Sequence, residues 1–217
     1  MPIHIDSRAV VSPKATIGDG VQVGPFAVIE DDVAIGEGTT IGAHTVIHSG
    51  SRIGRECRIH PMAAIGGFPQ DLKFRGEPTT LEIGDKTVVR EFVTLNRATA
   101  ETGRTIIGSN CLFMAYSHVG HDCVVGDNVI LANCCGLGGH VHLGNWVILG
   151  ALTPVHQFCH IGDHAMIGGG FRVVKDVPPY ILAGSEPLIF ARLNIIGLRR
   201  RGFSEKSIEL LNKTYRL

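Results

Sequence analysis

Residues 17–53 read IGDGVQ VGPFAV IEDDVA IGEGTT IGAHTV IHSGSR I when broken every six residues. An aliphatic side chain opens each block: Ile17, Val23, Ile29, Ile35, Ile41, Ile47 and Ile53. Extended in both directions, the same phase runs from Ile5 to Val173. Of its 29 positions only Asp71, Glu77 and Glu101 are not apolar, and fifteen of the apolar ones are followed directly by glycine. Chance does not hold one phase over 169 residues, so an internal repeat sets the architecture.

The repeat predicts an all-β solenoid. One aliphatic residue per hexapeptide points inward, and the small residue beside it lets the chain turn a tight corner. Three short sides close a coil of 18 residues, and about ten coils at a strand spacing of roughly 4.8 Å make a prism about 45 Å long. The three exceptions predict loops at 68–79 and 98–106, extruded onto one face. The phase stops at Val177-Pro178-Pro179. The expected organisation is a β-helix over 1–180 and a helical segment over 181–217. That segment reads as two helices, Pro187–Arg201 and Ser204–Leu217, with Ser204 as N-cap, Glu205 in the first turn and Phe203 stapled onto Ile208.

Composition narrows the function classes. Lys plus Arg is 20 and Asp plus Glu is 20, which removes a bulk electrostatic case for nucleic-acid binding. Charged residues at 18% and 28 glycines exclude a disordered chain and suit a turn-rich β protein. The N-terminus has no apolar signal-peptide region, and no segment approaches 18 uninterrupted apolar residues, so no transmembrane segment is expected. Six cysteines (Cys57, Cys111, Cys123, Cys134, Cys135 and Cys159) form no CxxC pair and read as reduced, mostly buried thiols of a cytoplasmic protein.

Seven of the histidines fall between His118 and His164. His121, Gly139 and Gln157 are 18 apart and should stack on one edge, with His140 and His156 a step to either side. His142 and His160 make a second column. In Ser117-His-Val-Gly-His-Asp-Cys123, Asp122 directly follows His121. An imidazole oriented by a hydrogen-bond partner is suited to take a proton from a hydroxyl. A zinc site of the γ-class carbonic anhydrase type needs three convergent histidines. His118 and His121 could supply two, but the expected metal complement is none.

Ordered motifs then become specific. Gln70-Asp-Leu-Lys73, His118-Val-Gly-His-Asp-Cys123, Gly139-His-Val141, Val155-His-Gln-Phe-Cys159, Asp176-Val-Pro-Pro-Tyr180 and Gly197-Leu-Arg-Arg-Arg-Gly-Phe203 resemble the UDP-N-acetylglucosamine O-acyltransferase family. The resemblance implies a left-handed parallel β-helix, a homotrimer with sites between subunits, and the first step of lipid A biosynthesis. A 3-hydroxyacyl group would pass from acyl carrier protein to the 3-hydroxyl of UDP-N-acetylglucosamine, with the carrier's thioester as donor and no cofactor. It further implies His121 as base, Asp122 as its support and the Gly139 N–H as oxyanion donor. Gln70, Asp71, Lys73, Asn96, His118, His140, His156, Gln157 and Asn194 match substrate positions. Arg200 and Arg201 match a basic strip for a diphosphate and an acidic carrier, and Gly169 matches the residue limiting chain length. Three features depart from the family pattern: Asn96 stands where His is usual, Ile196 where Glu is usual, and the C-terminal segment is short. A CoA-dependent hexapeptide acetyltransferase is the competing enzyme; a solenoid binding a partner through 68–79 is the non-enzymatic one.

Overall fold

In each hexad the chain runs two residues of strand, as in Thr16–Ile17, Gln22–Val23 and Val28–Ile29, and then turns. Each strand pairs in parallel with the strand one coil away, so that His4 faces Gln22 and Val10 faces Val28. A computed structural model describes residues 2–215 and arranges these pairs as three sheets around one interior. The first face runs from His4–Ile5 to Ile181–Gly184, the second from Val10–Val11 to Pro154–Val155, and the third from Thr16–Ile17 to His160–Ile161. The fold is a left-handed parallel β-helix.

Two buried columns fill the prism. The aliphatic column includes Ile29, Ile47, Ile65, Leu95, Phe113, Leu131 and Leu149. Two residues before each aliphatic position lies a small residue at the inside of the corner. Five of the six cysteines belong to this second column and are buried, while Cys134 is exposed. Thiol and hydroxyl do the same work here. Cys57 donates to the Gly84 carbonyl at 3.2 Å and Cys123 to that of Gly138 at 3.1 Å, as Thr39 does to Gly54 at 2.8 Å. Burial pushes the Cys111 thiol up to about 11 and that of Cys123 up to about 12, so both stay protonated.

Close backbone approach sets the corner. A Cβ at Gly36 would lie 2.6 Å from the Gly54 carbonyl carbon, so only glycine lets the coils stack there. Two residues on, the chain enters the left-handed region, often without glycine: Phe26 (φ 58), His44 (φ 58), Met62 (φ 63) and Phe92 (φ 58). Each such residue costs about 1–2 kcal/mol of backbone strain. Stacking offsets part of this, as in Phe26 on His44 at 4.9 Å and Phe92 on Tyr116 at 4.9 Å.

The strand register measures the insertions. Arg58 faces Val88, 30 residues away, and Val88 faces Leu112, 24 away, so the two coils carry twelve and six extra residues. The second loop is therefore shorter than 98–106. Strand Arg104–Ile107 begins inside that span because Thr105 and Ile107 are buried against the third face. The C-terminal expectation also needs correction. Ile181–Gly184 adds a strand to the first face, and Ile189–Leu193 pairs antiparallel with it where a helix was expected. Buried Ile181, Ala183 and Leu193 explain the strands, since they alternate toward the interior. Helix α1 covers only Ile195–Arg200, and α2 covers Glu205–Thr214 with Ser204 as its N-cap, accepting from the Ser207 N–H at 3.1 Å. Arg216 and Leu217, expected to continue α2, lie outside the described residues. Among the described residues no helix is long and apolar enough to cross a membrane.

Phe113 is the largest wholly buried side chain. Phe113→Ala should cost about 3–5 kcal/mol in denaturant unfolding by opening a cavity between stiff coils; a loss under 1 kcal/mol would mean the coils close around it.

Candidate active site

Second-face strands pass to third-face strands through one corner, and that corner carries both insertions together with His121, His140 and His156. Residues 68–79 leave it after Ala64–Gly67, and 97–103 leave it after Thr94–Asn96. In the next three coils the same corner holds His121-Asp122, Gly139-His140 and Gln157-Phe158. Asp122 (φ 60), His140 (φ 60) and Phe158 (φ 66) occupy its left-handed position. The chemistry is thus stacked at the coil spacing.

His121 Nδ1 lies 2.7 Å from Asp122 Oδ2. The Asp122 side chain is fully buried. Burial, the largest influence, pulls its carboxyl up; hydrogen bonds from Thr102, His121 and Thr99 together outweigh it and hold the pKa below the usual carboxylate value. Thr99 donates from its N–H at 3.1 Å and its hydroxyl at 2.8 Å, and the Thr102 hydroxyl donates as well. The Asp122 N–H itself donates to Thr105 Oγ1 at 2.9 Å. An ionised Asp122 only accepts, so His121 carries its proton on Nδ1 and leaves the Nε2 lone pair free.

Gly139 lies beneath that imidazole. A Cβ there would come within 2.5 Å of His121 Cε1 and 2.7 Å of Nε2. The ring, not the turn, requires the glycine. At the adjacent corner a run of equivalent N–H groups is taken by the next coil: Ser109 by Asp127 at 2.7 Å, Asp127 by Asn145 at 2.9 Å and Asn145 by Asp163 at 2.6 Å. Among the described residues nothing accepts from the Gly139 N–H. An imidazole with a free Nε2 and an unpaired amide therefore meet at one point.

His140 stands edge-on to His121 at 5.2 Å and stacks on Phe158 at 4.6 Å. Its Nε2 is 3.6 Å from both Asp122 and Glu101. His118 lies on the second face with Nδ1 2.7 Å from Thr94 Oγ1; burial first, and His121 second, push its pKa down. His156 and Gln157 are exposed, and His156 Nδ1 lies 3.1 Å from the Gln157 carbonyl. His142 and His160 pair in register with rings 4.5 Å apart, on the third face.

One group of three could converge on a metal, His121, Asp122 and His140, with ligand atoms within 4.8 Å of one another. A carboxylate has about four lone-pair sites. Asp122 already receives the Thr99 N–H, two hydroxyls and an imidazole, so its acceptor capacity is used. The donor set does not fit a metal.

The remaining expected residues lie elsewhere in one chain. Gln70 and Lys73 are exposed on the first loop, and Asp71 caps a turn by accepting from the Lys73 N–H at 2.9 Å. Asn96 donates to the Phe68 carbonyl at 2.5 Å, and Arg97 sits 4.7 Å from the Phe68 ring and 5.6 Å from that of Phe74. Both anchor the loop. Gly169 is exposed at the corner between the first and second faces. Asn194 is buried as the N-cap of α1; its carboxamide accepts from the Gly197 N–H at 3.2 Å and donates to the His164 carbonyl at 2.9 Å. It offers no free polar atom here. Arg201 lies over Trp146 at 5.2 Å and reaches His164, Arg200 is exposed, and Arg199 is paired with Glu205 at 2.7 Å. The residues missed from sequence are Thr99, Thr102 and Thr105; two threonines inside the insertion and one at the start of the strand after it, all at the His121 corner, were the available signal.

Comparison with known proteins agrees with this picture. Residues 176–217 match the family described as UDP-N-acetylglucosamine O-acyltransferase, domain 2, and residues 14–49, 32–67 and 104–139 match the bacterial transferase hexapeptide family. An acyl-(acyl-carrier-protein)–UDP-N-acetylglucosamine O-acyltransferase of Pseudomonas putida (strain W619) is 47% identical over 98% of this chain and 83% of that protein. Its counterpart in Pseudomonas syringae pv. syringae (strain B728a) is 50% identical with the same coverage. The crystal structure of the UDP-N-acetylglucosamine acyltransferase of Bacteroides fragilis superposes with a TM-score of 0.96 at 47% identity, over 98% of this chain and 83% of that one. That of Arabidopsis superposes at 0.80 with 36% identity, over 98% and 82%. The chain belongs to the UDP-N-acetylglucosamine O-acyltransferase family.

Proposed function

We propose that this protein transfers a 3-hydroxyacyl group from acyl carrier protein to the 3-hydroxyl of UDP-N-acetylglucosamine, the first step of lipid A biosynthesis, with His121 as general base. The observation that carries the reading is the His121 ring, fixed by Asp122 and lying on Gly139 with an unpaired N–H beside it. His121 Nε2 takes the hydroxyl proton as the sugar oxygen attacks the thioester carbon. The oxyanion that forms accepts from the Gly139 N–H. Collapse breaks the carbon–sulfur bond, and the His121 imidazolium returns its proton to the departing carrier thiolate. The thioester is the only activated group this sequence needs, so no cofactor enters, and the cytoplasm is the compartment that suits the free thiols and the substrates.

The acceptor and donor sites extend between subunits of a homotrimer. Asp71 and Lys73 on the first loop, and Arg200 and Arg201 beside α1, have no contact with His121 within one chain; in a trimer they act on a neighbour's site. The outward residues of the first face support a bound acyl chain: Val88, Leu112, Ile130, Ile148 and Met166 form a half-buried apolar column. The column continues through Leu182, which pairs with Met166, and Gly169, exposed at the corner just past Met166, leaves its flank open for long chains.

His121→Ala should lower turnover by about 10²–10⁴-fold while the protein still elutes as a trimer; activity within a few-fold of wild type refutes the base assignment. Chelators should leave the wild-type rate unchanged, and a loss restored by zinc would revive a metal mechanism. Gly169→Met should shift donor preference toward shorter 3-hydroxyacyl chains, because each buried methylene is worth about 0.8 kcal/mol. An unchanged chain-length profile would mean that the apolar column ends elsewhere.

A further inference from the structure

The loop 97–103 has a task that the reaction scheme leaves unassigned. It lengthens one coil by six residues, and that coil lies immediately before the one carrying His121. Its two threonines converge on a single acceptor. The Thr99 N–H reaches Asp122 Oδ1 at 3.1 Å, the Thr99 hydroxyl reaches Oδ2 at 2.8 Å, and the Thr102 hydroxyl reaches Oδ1. Without the loop, the Asp122 side chain would face solvent at an exposed corner, as Asp32 does at the same corner four coils before.

We propose that Thr99 and Thr102 are positioning residues for the transfer reaction: they fix the Asp122 carboxylate so that His121 keeps its proton on Nδ1 and presents Nε2 over Gly139. The inference rests on the catalytic reading of His121 given above. Its logic is electrostatic. A buried carboxylate favours protonation unless donors compensate, and a protonated Asp122 would no longer hold the His121 tautomer. The other titratable groups facing Asp122 cannot replace the threonines. His140 Nε2 lies at 3.6 Å, beyond hydrogen-bond reach. Glu101, which approaches the same His140 nitrogen at 3.6 Å, repels the carboxylate, and the neighbouring Cys123 thiol stays neutral. His118 is engaged with Thr94 Oγ1 on the second face.

Thr102→Val keeps shape and removes one donor, and Thr102→Ser restores it. For Thr102→Val, the acid limb of the kcat profile should move up by about one pH unit, and kcat at neutral pH, where Asp122 stays ionised but is no longer held against His121 Nδ1, should fall about tenfold, with KM for the nucleotide sugar unchanged. Thr102→Ser should return both to near wild type. Thr99→Val, which keeps its N–H donor, should give a smaller shift of the same sign. Nitrogen NMR of labelled histidine supplies a readout independent of turnover: the Nε2-protonated tautomer of His121 should appear in Thr102→Val. A melting temperature that falls while the pH profile and tautomer stay fixed would overturn the proposal in favour of a purely structural loop. A raised KM with unchanged kcat would overturn it in favour of substrate contact. His121→Ala and Asp122→Asn run beside these variants. If both retain activity, the catalytic reading fails; if both lose it and Thr102→Val does not, only the present inference fails.

Discussion

At Gly36 the neighbouring coil's Gly54 carbonyl carbon lies where a Cβ would need to be, 2.6 Å away, and similar approaches recur along the corners of the prism. Coils that touch backbone to backbone have no freedom to slide or splay. Every side chain at a given hexad position is therefore repeated at one coil spacing, roughly 4.8 Å above the last. That constraint turns a sequence interval of 18 into a spatial contact. His121, Gly139 and Gln157 are brought together by it, and so are Asp122, His140 and Phe158. The coil stacking brings the base and the amide donor together, and the loop 97–103 adds the donors that hold the Asp122 carboxylate.

The energetic risk in this arrangement is concentrated at Asp122. An unpartnered buried carboxylate costs several kcal/mol. Hydrogen bonds to a charged group return about 1.5–3 kcal/mol each. Four donors decide the balance, and Asp122 remains ionised with His121 among its partners. Gly139 presents the opposite case. Its N–H lacks the side-chain acceptor that closes the ladder from Ser109 through Asp127 and Asn145 to Asp163. The Gly139 amide, next to the His121 ring, stays free to donate, which is the condition for stabilising an oxyanion that exists only during reaction.

Much of this was legible in the sequence because hexad phase maps directly onto position. The aliphatic phase predicted the prism, its breaks predicted the insertions, and the interval of 18 predicted the His121–Gly139 contact. What escaped lay where phase is lost. Thr99 and Thr102 sit in an insertion, and no repeat says which way its side chains point. The segment after Pro187 carries helix-compatible residues, yet Ile189–Leu193 pairs as a strand because the last coil leaves an open sheet edge at Ile181–Gly184. Asn194 matches a substrate position by resemblance, while in this chain both ends of its carboxamide are used to cap α1 and hold His164. Tertiary contacts decided each of these, and local pattern could not.

The central claim is that one corner of a β-helix moves an acyl group from a carrier protein to a nucleotide sugar. The most direct measurement is mass spectrometry of the nucleotide after incubation with UDP-N-acetylglucosamine and a 3-hydroxyacyl carrier protein. The account predicts a UDP-sugar heavier by one 3-hydroxyacyl group, formed with the carrier-linked donor and not with the corresponding CoA thioester. An unmodified nucleotide, or equal transfer from CoA, would contradict it.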